Sequence, residues 1–374
     1  MNTSAQPVDP EPYDRMMHSI IQRIATGPDL SKDISEEEAR LGMLGVLEHA
    51  VDPVRAAIFL IALRMKRETR EENRGALQAF LDTTDRVTAE VDELLDLADP
   101  YDGYNRTLPA SPFLAPVLAE AGVPVVTHGL DRVGPKFGIT HRHVLAAAGV
   151  EVDLDPRAAA ERLSDPALGW TYVDQARYNP RLHALIDLRR KMVKRSVITT
   201  VEVLAKPVQA RCKTHFATGY VHKPYPPVYA DLARHAGFDS ALLVRGVEGG
   251  VIPSLRQPGK YFAYRDRGQE RACDFDPASM GIAQEHRCVP IPEDIPQSPK
   301  GEGAITVTDT EAGARRAAEL GLAALGGEQG PTYDSLVCSG GLMLLHLGRV
   351  ATLAEGADRI RAILDSGRAA RRVA

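Results

Sequence analysis

Residues 122–149 constrain the fold more than any other stretch, because they combine a strand, a glycine-rich loop and the start of a helix. Val123 to Val126 form an apolar, mostly β-branched run that is long enough for a buried strand and too short for a helix. Thr127 begins a predicted loop, and after Thr140 the apolar residues recur at helical spacing. A strand, a loop and a helix in this order are typical of an α/β fold.

The loop in this stretch has the composition of an anion-binding site. Open backbone N–H groups and the dipole of the following helix together favour a phosphate or a carboxylate. An ordinary β–α connection, in which the glycines only form turns, explains the same residues equally well. The candidate ligand-binding residues are His128, Gly129, Arg132, Lys136 and Gly138. The catalytic residues stay unknown, and the candidates for proton transfer are His128 and His143.

The composition argues against several classes of protein. At 374 residues the chain can form a large domain and a smaller one, and 44% hydrophobic and 25% charged residues are ordinary for globular proteins. A formal net charge of -5 argues against a broadly basic nucleic-acid binder. The four cysteines form no C-x-x-C pair and fit thiols in a reducing cytosol. Without a signal peptide or an apolar run of roughly 18 residues, we expect a cytoplasmic protein with no membrane contact.

The first hundred residues are predicted to be helical. Residues 1–14 are polar and contain prolines, which predicts a disordered tail. Residues 15–98 contain three helix start signals. These are Ser35 before three glutamates, Pro53 in a first turn, and Thr69 shortly before two glutamates. We therefore expect an N-terminal helical domain over residues 15–98.

Residues 99–374 alternate short β-rich runs with helical segments, which predicts a large α/β domain. The expected fold class is α/β: a small N-terminal helical domain plus a large domain with a central, mostly parallel sheet flanked by helices. Residues 175–200 are predicted as helices that return to the helical domain. Residues 256–303, which are charged and rich in proline, are expected to be an irregular insertion.

Two segments closely resemble the anthranilate phosphoribosyltransferases, which have the glycosyltransferase family 3 fold. The first is ISEEEARLGMLGVLEHAVDPVRAAIFLIALRMKRETREENRGALQAF, from Ile34 to Phe80, which resembles their N-terminal helical domain. The second is SGGLMLLHLGRVATLAEGADRIRAILDSGRAARR, from Ser339 to Arg372, which resembles their last helices. The resemblance covers the chain from about residue 15 to residue 372. It implies a homodimer with its contact in the helical domain.

The resemblance extends to the loops that hold phosphoribosyl pyrophosphate in the family. The family motif K-H-G-N-R falls on Thr127 to Asp131, where His128 and Gly129 are kept. The glycine-rich pyrophosphate loop, G-T-G-G-D, falls within residues 99–111. The residues of this chain that match it or add a cation are Asp102, Gly103, Asn105 and Arg106. With one glycine in place of three, the composition instead predicts a solvated surface loop.

The expected metal site has lost its ligands. The segment ALLVRGVEGG, from Ala241 to Gly250, resembles A-L-V-V-H-G-x-G-G, after which the family has an Asp-Glu pair that holds magnesium. Val251 and Ile252 stand there, and neither side chain coordinates a hard cation. Glu248 is the nearby carboxylate and the candidate metal ligand. We expect magnesium only if phosphoribosyl pyrophosphate binds, and no other cofactor.

A dense basic segment is carried by a helix predicted from Pro180 to about Val193. It contains Arg189, Arg190, Lys191, Lys194 and Arg195. In the register of the family, Arg189 falls on the arginine that contacts the acceptor carboxylate, and Arg195 on the arginine that follows it. Most charge runs form solvated faces, so the alternatives are a solvated face, a site for a substrate carboxylate, and a contact with nucleic-acid phosphates.

Two hypotheses for function remain. The first is a divergent pentosyltransferase that binds a phosphorylated ligand, such as phosphoribosyl pyrophosphate, and uses an unidentified acceptor. Because each lost electrostatic contact costs about 100 to 1,000 fold in rate, we expect inefficient turnover of anthranilate. The second is a catalytically inactive, dimeric paralogue that binds nucleic acid through the basic helix. Arg245, in the sequence R-G-x-E-G, is a candidate ligand-binding residue that fits this paralogue group.

Overall fold

The computed structural model describes residues 10–296 and 308–373, which form four N-terminal helices and a large α/β part. The helices are α1 Pro10–Ile24, α2 Glu36–Leu47, α3 Pro53–Lys66, α4 Arg70–Thr83, α5 Leu114–Glu120, α6 His141–Ala147, α7 Pro156–Ser164, α8 Gln175–Tyr178, α9 Pro180–His183, α10 Ile186–Met192, α11 Val197–Val201, α12 Tyr225–His235, α13 Thr310–Leu325, α14 Pro331–His346 and α15 Leu353–Asp365. The strands are β1 Val87–Thr88, β2 Glu93–Ala98, β3 Val125–Gly129, β4 Trp170–Asp174, β5 Val208–Gln209, β6 Lys213–Gly219, β7 Ser240–Val244, β8 Gly259–Tyr264 and β9 Arg271–Phe275.

The helical part begins where the sequence predicts. Ser35 and Thr69 cap α2 and α4, and each forms a capping box with the glutamate three residues later. Such a cap contributes about 1 kcal/mol, because it satisfies N–H groups that have no partner within the helix. Pro53 is the first residue of α3, as expected. Apolar residues of the four helices, among them Phe59 and Phe80, are fully buried in one core.

Two of the predicted boundaries of this part are wrong. Residues 10–14, predicted as part of a disordered tail, belong to α1; residues 1–9 lie outside the described residues. The helices end at Thr83, and Glu93–Ala98 is the strand β2. Five of its six residues are buried, as is typical of a parallel strand covered on both faces.

A mixed, mostly parallel sheet forms the centre of the large part. Its strand order is β4-β3-β2-β6-β7-β8-β9; the pairs from β4 to β7 are parallel, and β8 and β9 are antiparallel. From β2 the chain adds strands toward one edge, and from β6 it adds them toward the other. The strand order therefore reverses between β2 and β6. In open α/β sheets, ligands bind in the crevice at the carboxyl ends of the strands at such a point.

Helices cover both faces of this sheet. Leu242 and Leu243, neighbours in β7, belong to different hydrophobic cores, because successive side chains of a strand point to opposite faces. One core contains residues of α5, α13, α14 and α15, and the other joins the sheet to the N-terminal helices. Helices α10 and α11 pack against α3 from the N-terminal part, in the segment expected to return to it.

Other predictions hold in part. Residues 259–275 form an antiparallel hairpin at the edge of the sheet, not the expected irregular insertion, and residues 297–303 of that range lie outside the described residues. The helix predicted after residue 180 is interrupted, with α9 and α10 separated by two residues. Within the part of the chain that the structure describes, no helix has the length and apolarity to cross a bilayer.

Candidate functional site

A cavity of about 610 Å³ lies at the carboxyl ends of β2 and β6, where the strand order reverses. Its volume is within the range of small-molecule sites. Residues of α3 and α11 line one part of it, and the loops that follow β2, β3, β6 and β7 line another part. The charged side chains that line it among the described residues are Arg64, Arg106, Lys136 and Arg195, with Asp102 and Glu248.

Positive charge is concentrated beside the loop after β2. The guanidinium Nε of Arg195 lies 3.1 Å from the carboxylate of Asp102, and the ammonium of Lys136 lies 3.4 Å from the same carboxylate. Lys136 also donates to the carbonyl oxygen of Gly103 at 2.7 Å. Arg106 is exposed, and Arg64 donates to the hydroxyl of Tyr225 at 2.9 Å. Four cations against two carboxylates make the cavity suitable for an anion.

Tyrosines form a second wall of the cavity. Tyr225 and Tyr229 lie one turn apart on α12 with ring centroids 5.9 Å apart, and Tyr220 follows β6. Burial raises the pKa of Tyr229 and of Tyr220, so both remain neutral phenols at physiological pH. The cavity therefore combines a charged wall with an aromatic wall, and it suits a ligand with an anionic group and a ring.

The loop after β2 is held by Glu248, which follows β7. One carboxylate oxygen of Glu248 accepts hydrogen bonds from the backbone N–H of Arg106 at 2.7 Å and from the hydroxyl of Thr107 at 3.2 Å. The other accepts from the backbone N–H of Asn105 at 3.1 Å. The expected solvated surface loop is wrong for residues 101–105, which are buried. Successive backbone N–H groups form an anion-binding nest, and here the anion is a carboxylate of the protein itself.

Asp99 also connects the loop after β2 to the loop after β7. Its carboxylate accepts from the backbone N–H of Val251 at 3.0 Å and lies 2.9 Å from Nε2 of His141. Burial alone would raise the pKa of Asp99, but the charge of His141 and hydrogen bonds from three side chains hold it below its ordinary value. The loops after β2 and β7 are therefore connected by two carboxylates.

Gly103 and Gly138 serve a different purpose from the predicted one. A Cβ atom on Gly103 would lie 2.6 Å from the carbonyl carbon of Gly138, and a Cβ on Gly138 would lie 2.6 Å from the backbone of Tyr104. The two glycines allow two backbone segments to pack against each other. Asn105 closes this contact by donating from its side chain to the carbonyl oxygen of Lys136 at 3.3 Å.

His128 and Gly129 belong to β3, so the loop predicted to start at Thr127 begins later. The Nε2 atom of His128 lies 2.8 Å from a carboxylate oxygen of Asp96, and its Nδ1 atom contacts the hydroxyl of Tyr101. Its side chain is fully buried outside the cavity lining, whereas Tyr101 lines the cavity. The structure therefore does not place His128 where it could touch a ligand.

His143 and Arg132 also lie outside the cavity lining. The Nδ1 atom of His143 accepts from the backbone N–H of Thr140 at 3.2 Å, which completes the cap of α6, and its Nε2 atom lies 3.0 Å from Asp131. The guanidinium of Arg132 donates to the hydroxyl of Thr310 at 3.5 Å. Proton transfer by His143 and ligand binding by Arg132 are thus not supported.

The structure divides the basic segment. Arg189 is buried and binds both carboxylate oxygens of Glu202 at 2.7 Å. Arg190 and Lys191 share Asp187 as an ion-pair partner, and Lys194 is exposed. Arg195 alone of the five lines the cavity. The arrangement does not support a shared face for nucleic acid, because its first arginine, Arg189, is buried. Arg245 is exposed and outside the cavity lining.

The residues at the cavity do not fit a magnesium ion. Among residues 10–296 and 308–373, no group of three or more histidine, cysteine, aspartate or glutamate side chains could hold a metal. The carboxylate of Asp102 is engaged by Arg195, and that of Glu248 by backbone N–H groups. Val251, at the position of an expected ligand, is fully buried in the core. Glu248 is therefore a hydrogen-bond acceptor in this structure and not part of a metal site.

The aromatic wall was missed in the sequence. Tyr225 and Tyr229 are four residues apart at the start of α12, directly after the strand β6 that ends at the cavity. Spacing of four residues on a helix places two side chains on one face, so this pair was a detectable signal. Arg64 was not detectable in this way, because it reaches the cavity from α3 in the N-terminal part.

Comparisons with known proteins identify the family. The model of the helical bundle domain of a glycosyl transferase family matches residues 18–84, and that of its a/b domain matches residues 102–370. An uncharacterized protein of Aquifex aeolicus is 26% identical over 333 residues, covering 89% of this chain and 94% of that one. Anthranilate phosphoribosyltransferase of Desulfotalea psychrophila is 28% identical over 362 residues, covering 94% of each chain.

A solved structure shares the fold. Anthranilate phosphoribosyltransferase from Saccharomyces cerevisiae, in complex with PRPP and Mg, superposes with a TM-score of 0.72 at 18% identity, and the match covers 96% of each chain. The helical bundle, the mostly parallel sheet and the two matching domain models agree along most of the chain. The chain therefore belongs to this glycosyltransferase family, as a member similar to the anthranilate phosphoribosyltransferases.

Proposed function

We propose that the protein binds a pentose 1-phosphate in the cavity and transfers the pentosyl group to an acceptor other than anthranilate. A bond forms between the anomeric carbon and the acceptor, the bond to the phosphate breaks, and the released phosphate takes the acceptor's proton. The observation that carries the proposal is the position of the cavity: it lies where the strand order reverses, between a cationic wall and an aromatic wall. The relatives support the ligand class, since PRPP is named as the ligand of the yeast enzyme of the same fold.

The roles of the side chains follow from their charge and position. Arg106, Lys136 and Arg195 line one wall, where they would hold the phosphate by charge-assisted hydrogen bonds. Tyr220, Tyr225 and Tyr229 would pack against the pentose or the acceptor ring. Transfer then depends on positioning and on electrostatic stabilisation of positive charge at the anomeric carbon, for which the carboxylate of Asp102 is nearby.

Anthranilate is disfavoured as the acceptor. The resemblance implies that, in this family, the arginine at the position of Arg189 binds the carboxylate of the acceptor. In this protein the Arg189 guanidinium binds the carboxylate of Glu202 instead. The amide groups of the loop after β2 are also engaged, by Glu248. Both changes remove contacts to the substrates of an anthranilate enzyme.

Calorimetric titration with ribose 1-phosphate tests the proposal. We expect saturable binding in the range of about 1 μM to 1 mM, which is typical of enzyme substrates. Arg195→Ala is expected to weaken binding about 10- to 100-fold, because a hydrogen bond to a charged group is lost. Arg190→Ala is the matched control from the same segment, since Arg190 is exposed and pairs with Asp187. Absence of binding by the wild-type protein, or equal effects of the two substitutions, would overturn the proposal.

A further inference from the structure

The carboxylate of Glu248 occupies the place of a bound anion. It accepts two successive backbone N–H groups and one hydroxyl from Asn105, Arg106 and Thr107, at distances of 2.7 to 3.2 Å. Its side chain is 9% exposed and lines the cavity. Such a set of donors is the usual environment of a phosphate oxygen in proteins. The protein thus provides its own anion for a site that faces the ligand cavity.

The backbone around Glu248 keeps this carboxylate in position. Glu248 has a φ of 54°, in the left-handed region that costs a side chain conformational energy. Gly246 packs so closely on Gly250 that a Cβ atom would lie 1.6 Å from its carbonyl oxygen. Lys136 donates to the backbone carbonyl of Glu248 at 3.2 Å. Close packing and the hydrogen bond from Lys136 therefore hold Glu248 in its strained backbone conformation.

The next turn of the same loop is held as well. Asp99, from the loop after β2, accepts the backbone N–H of Val251 at 3.0 Å. Tyr104 from that loop packs on Gly250, where a Cβ atom would lie 1.8 Å from the tyrosine hydroxyl. These contacts fix the backbone on both sides of Glu248 and so keep the start of its side chain beside the amide nest.

We propose that Glu248 is a specificity-determining residue that excludes a diphosphate group from the cavity and selects ligands with a single phosphate. The inference rests on the proposed function for the class of ligand. A second phosphate in the nest would have to replace the Glu248 carboxylate or lie against it with the same sign of charge. A single phosphate meets no such conflict, because it can bind the guanidinium groups of Arg106 and Arg195, which line the cavity, while backbone N–H groups and a hydroxyl hold Glu248.

Inorganic pyrophosphate is the direct probe of the nest. We expect the wild-type protein to bind pyrophosphate no more tightly than inorganic phosphate. Glu248→Gly, which also removes the left-handed strain, is expected to bind pyrophosphate about 10- to 100-fold more tightly than the wild type, since donors to a charged group become free. Glu120→Gln is the matched control, because Glu120 accepts from Arg372 and Arg368 away from the cavity lining. Equal affinity of wild type and Glu248→Gly for pyrophosphate would overturn the inference.

Restoration of thermal stability by an added anion provides a second measurement, which remains informative if the variant is unstable. Glu248→Gly is expected to melt at a lower temperature than the wild type, and added pyrophosphate is expected to restore the difference in a saturable way. Recovery of folded protein by pyrophosphate during refolding would support the inference equally, and failure of pyrophosphate to stabilise the variant would overturn it. Both readouts are independent of ribose 1-phosphate, so failure of the proposed function and failure of this inference are distinguishable.

Discussion

Arg189 and Glu202 form a two-point ion pair, with both guanidinium nitrogens 2.7 Å from the carboxylate oxygens. Their side chains are 5% and 1% exposed. The resemblance implied a ligand contact for Arg189, but here the residue joins α10 to the short helical turn that follows α11. The pair is therefore part of the framework of the protein.

Arg189→Ala is expected to lower the free energy of unfolding by about 3 to 5 kcal/mol, because it leaves the Glu202 carboxylate buried without a partner. Arg190→Ala, one residue away but exposed, should change it by less than about 0.5 kcal/mol. Urea unfolding of the two variants checks the difference. Equal and small effects would contradict the buried position of Arg189.

His128 is expected to act on stability. His128→Phe removes the hydrogen-bonding partner of both Asp96 and Tyr101, which are buried, so it should cost about 2 to 6 kcal/mol of unfolding free energy. His18→Phe is the control, because His18 is exposed on α1. Thermal or urea unfolding gives the comparison. A His128 variant as stable as the His18 variant would show that the buried hydrogen bonds of His128 are not formed.

Lys206 predicts a pH dependence in the alkaline range. Its ammonium is buried above the ring of Phe238, at 4.9 Å, and burial lowers its pKa to about 8. The unfolded chain then binds a proton between pH 8 and about 10.5 that the folded protein lacks, so this group makes the folded state more stable as the pH rises through that window. The total change is about 3 kcal/mol.

Lys206→Met isolates this contribution from the other groups that titrate at high pH. The difference in unfolding free energy, wild type minus variant, should rise by up to about 3 kcal/mol between pH 8 and pH 10.5. Lys213→Met, at an exposed site, is the control for replacing a lysine with methionine. A flat difference for Lys206→Met would mean that the ammonium is solvated in the folded protein.

The N-terminal helices carry an apolar face that predicts a homodimer. Val54, Ile58 and Met65 lie on α3 with 66%, 40% and 77% of their surface exposed, at spacings that place them on one side of the helix. Light scattering after gel filtration should give twice the monomer mass for the wild type and a monomer for Ile58→Asp. Leu322→Asp, at an exposed apolar residue of α13, should leave the dimer intact. A monomeric wild type would contradict this expectation.

The sequence predicted those features that depend on local physical chemistry. The helix starts at Ser35 and Thr69 and the start of α6 after Thr140 all follow from a few adjacent residues. Strand β2 was missed because its six residues, mostly Leu, Glu and Asp, follow a helical domain and show no clear alternation of apolar and polar residues. Patterns of this length do not distinguish a buried strand from a helix.

The candidate site was less predictable, because it is made by contacts between distant residues. Glu248 meets Asn105 and Arg106 across 143 and 142 positions, and no pattern in either segment indicates this contact. His128 and Arg189 were candidates for ligand contact because they match the K-H-G-N-R motif and the acceptor-binding arginine of the family that the sequence resembles. Only the three-dimensional packing shows that both side chains are buried.

The central claim is that this transferase scaffold no longer binds a diphosphate group. The most direct test is the steady-state rate of phosphoribosyl anthranilate formation from anthranilate, PRPP and magnesium. Glu248 fills the amide nest, and the described residues contain no cluster of carboxylates suited to magnesium. We therefore predict a kcat below about 0.01 s⁻¹, which is roughly 1,000-fold lower than that of an ordinary enzyme. A kcat of about 1 s⁻¹ or more would contradict the account.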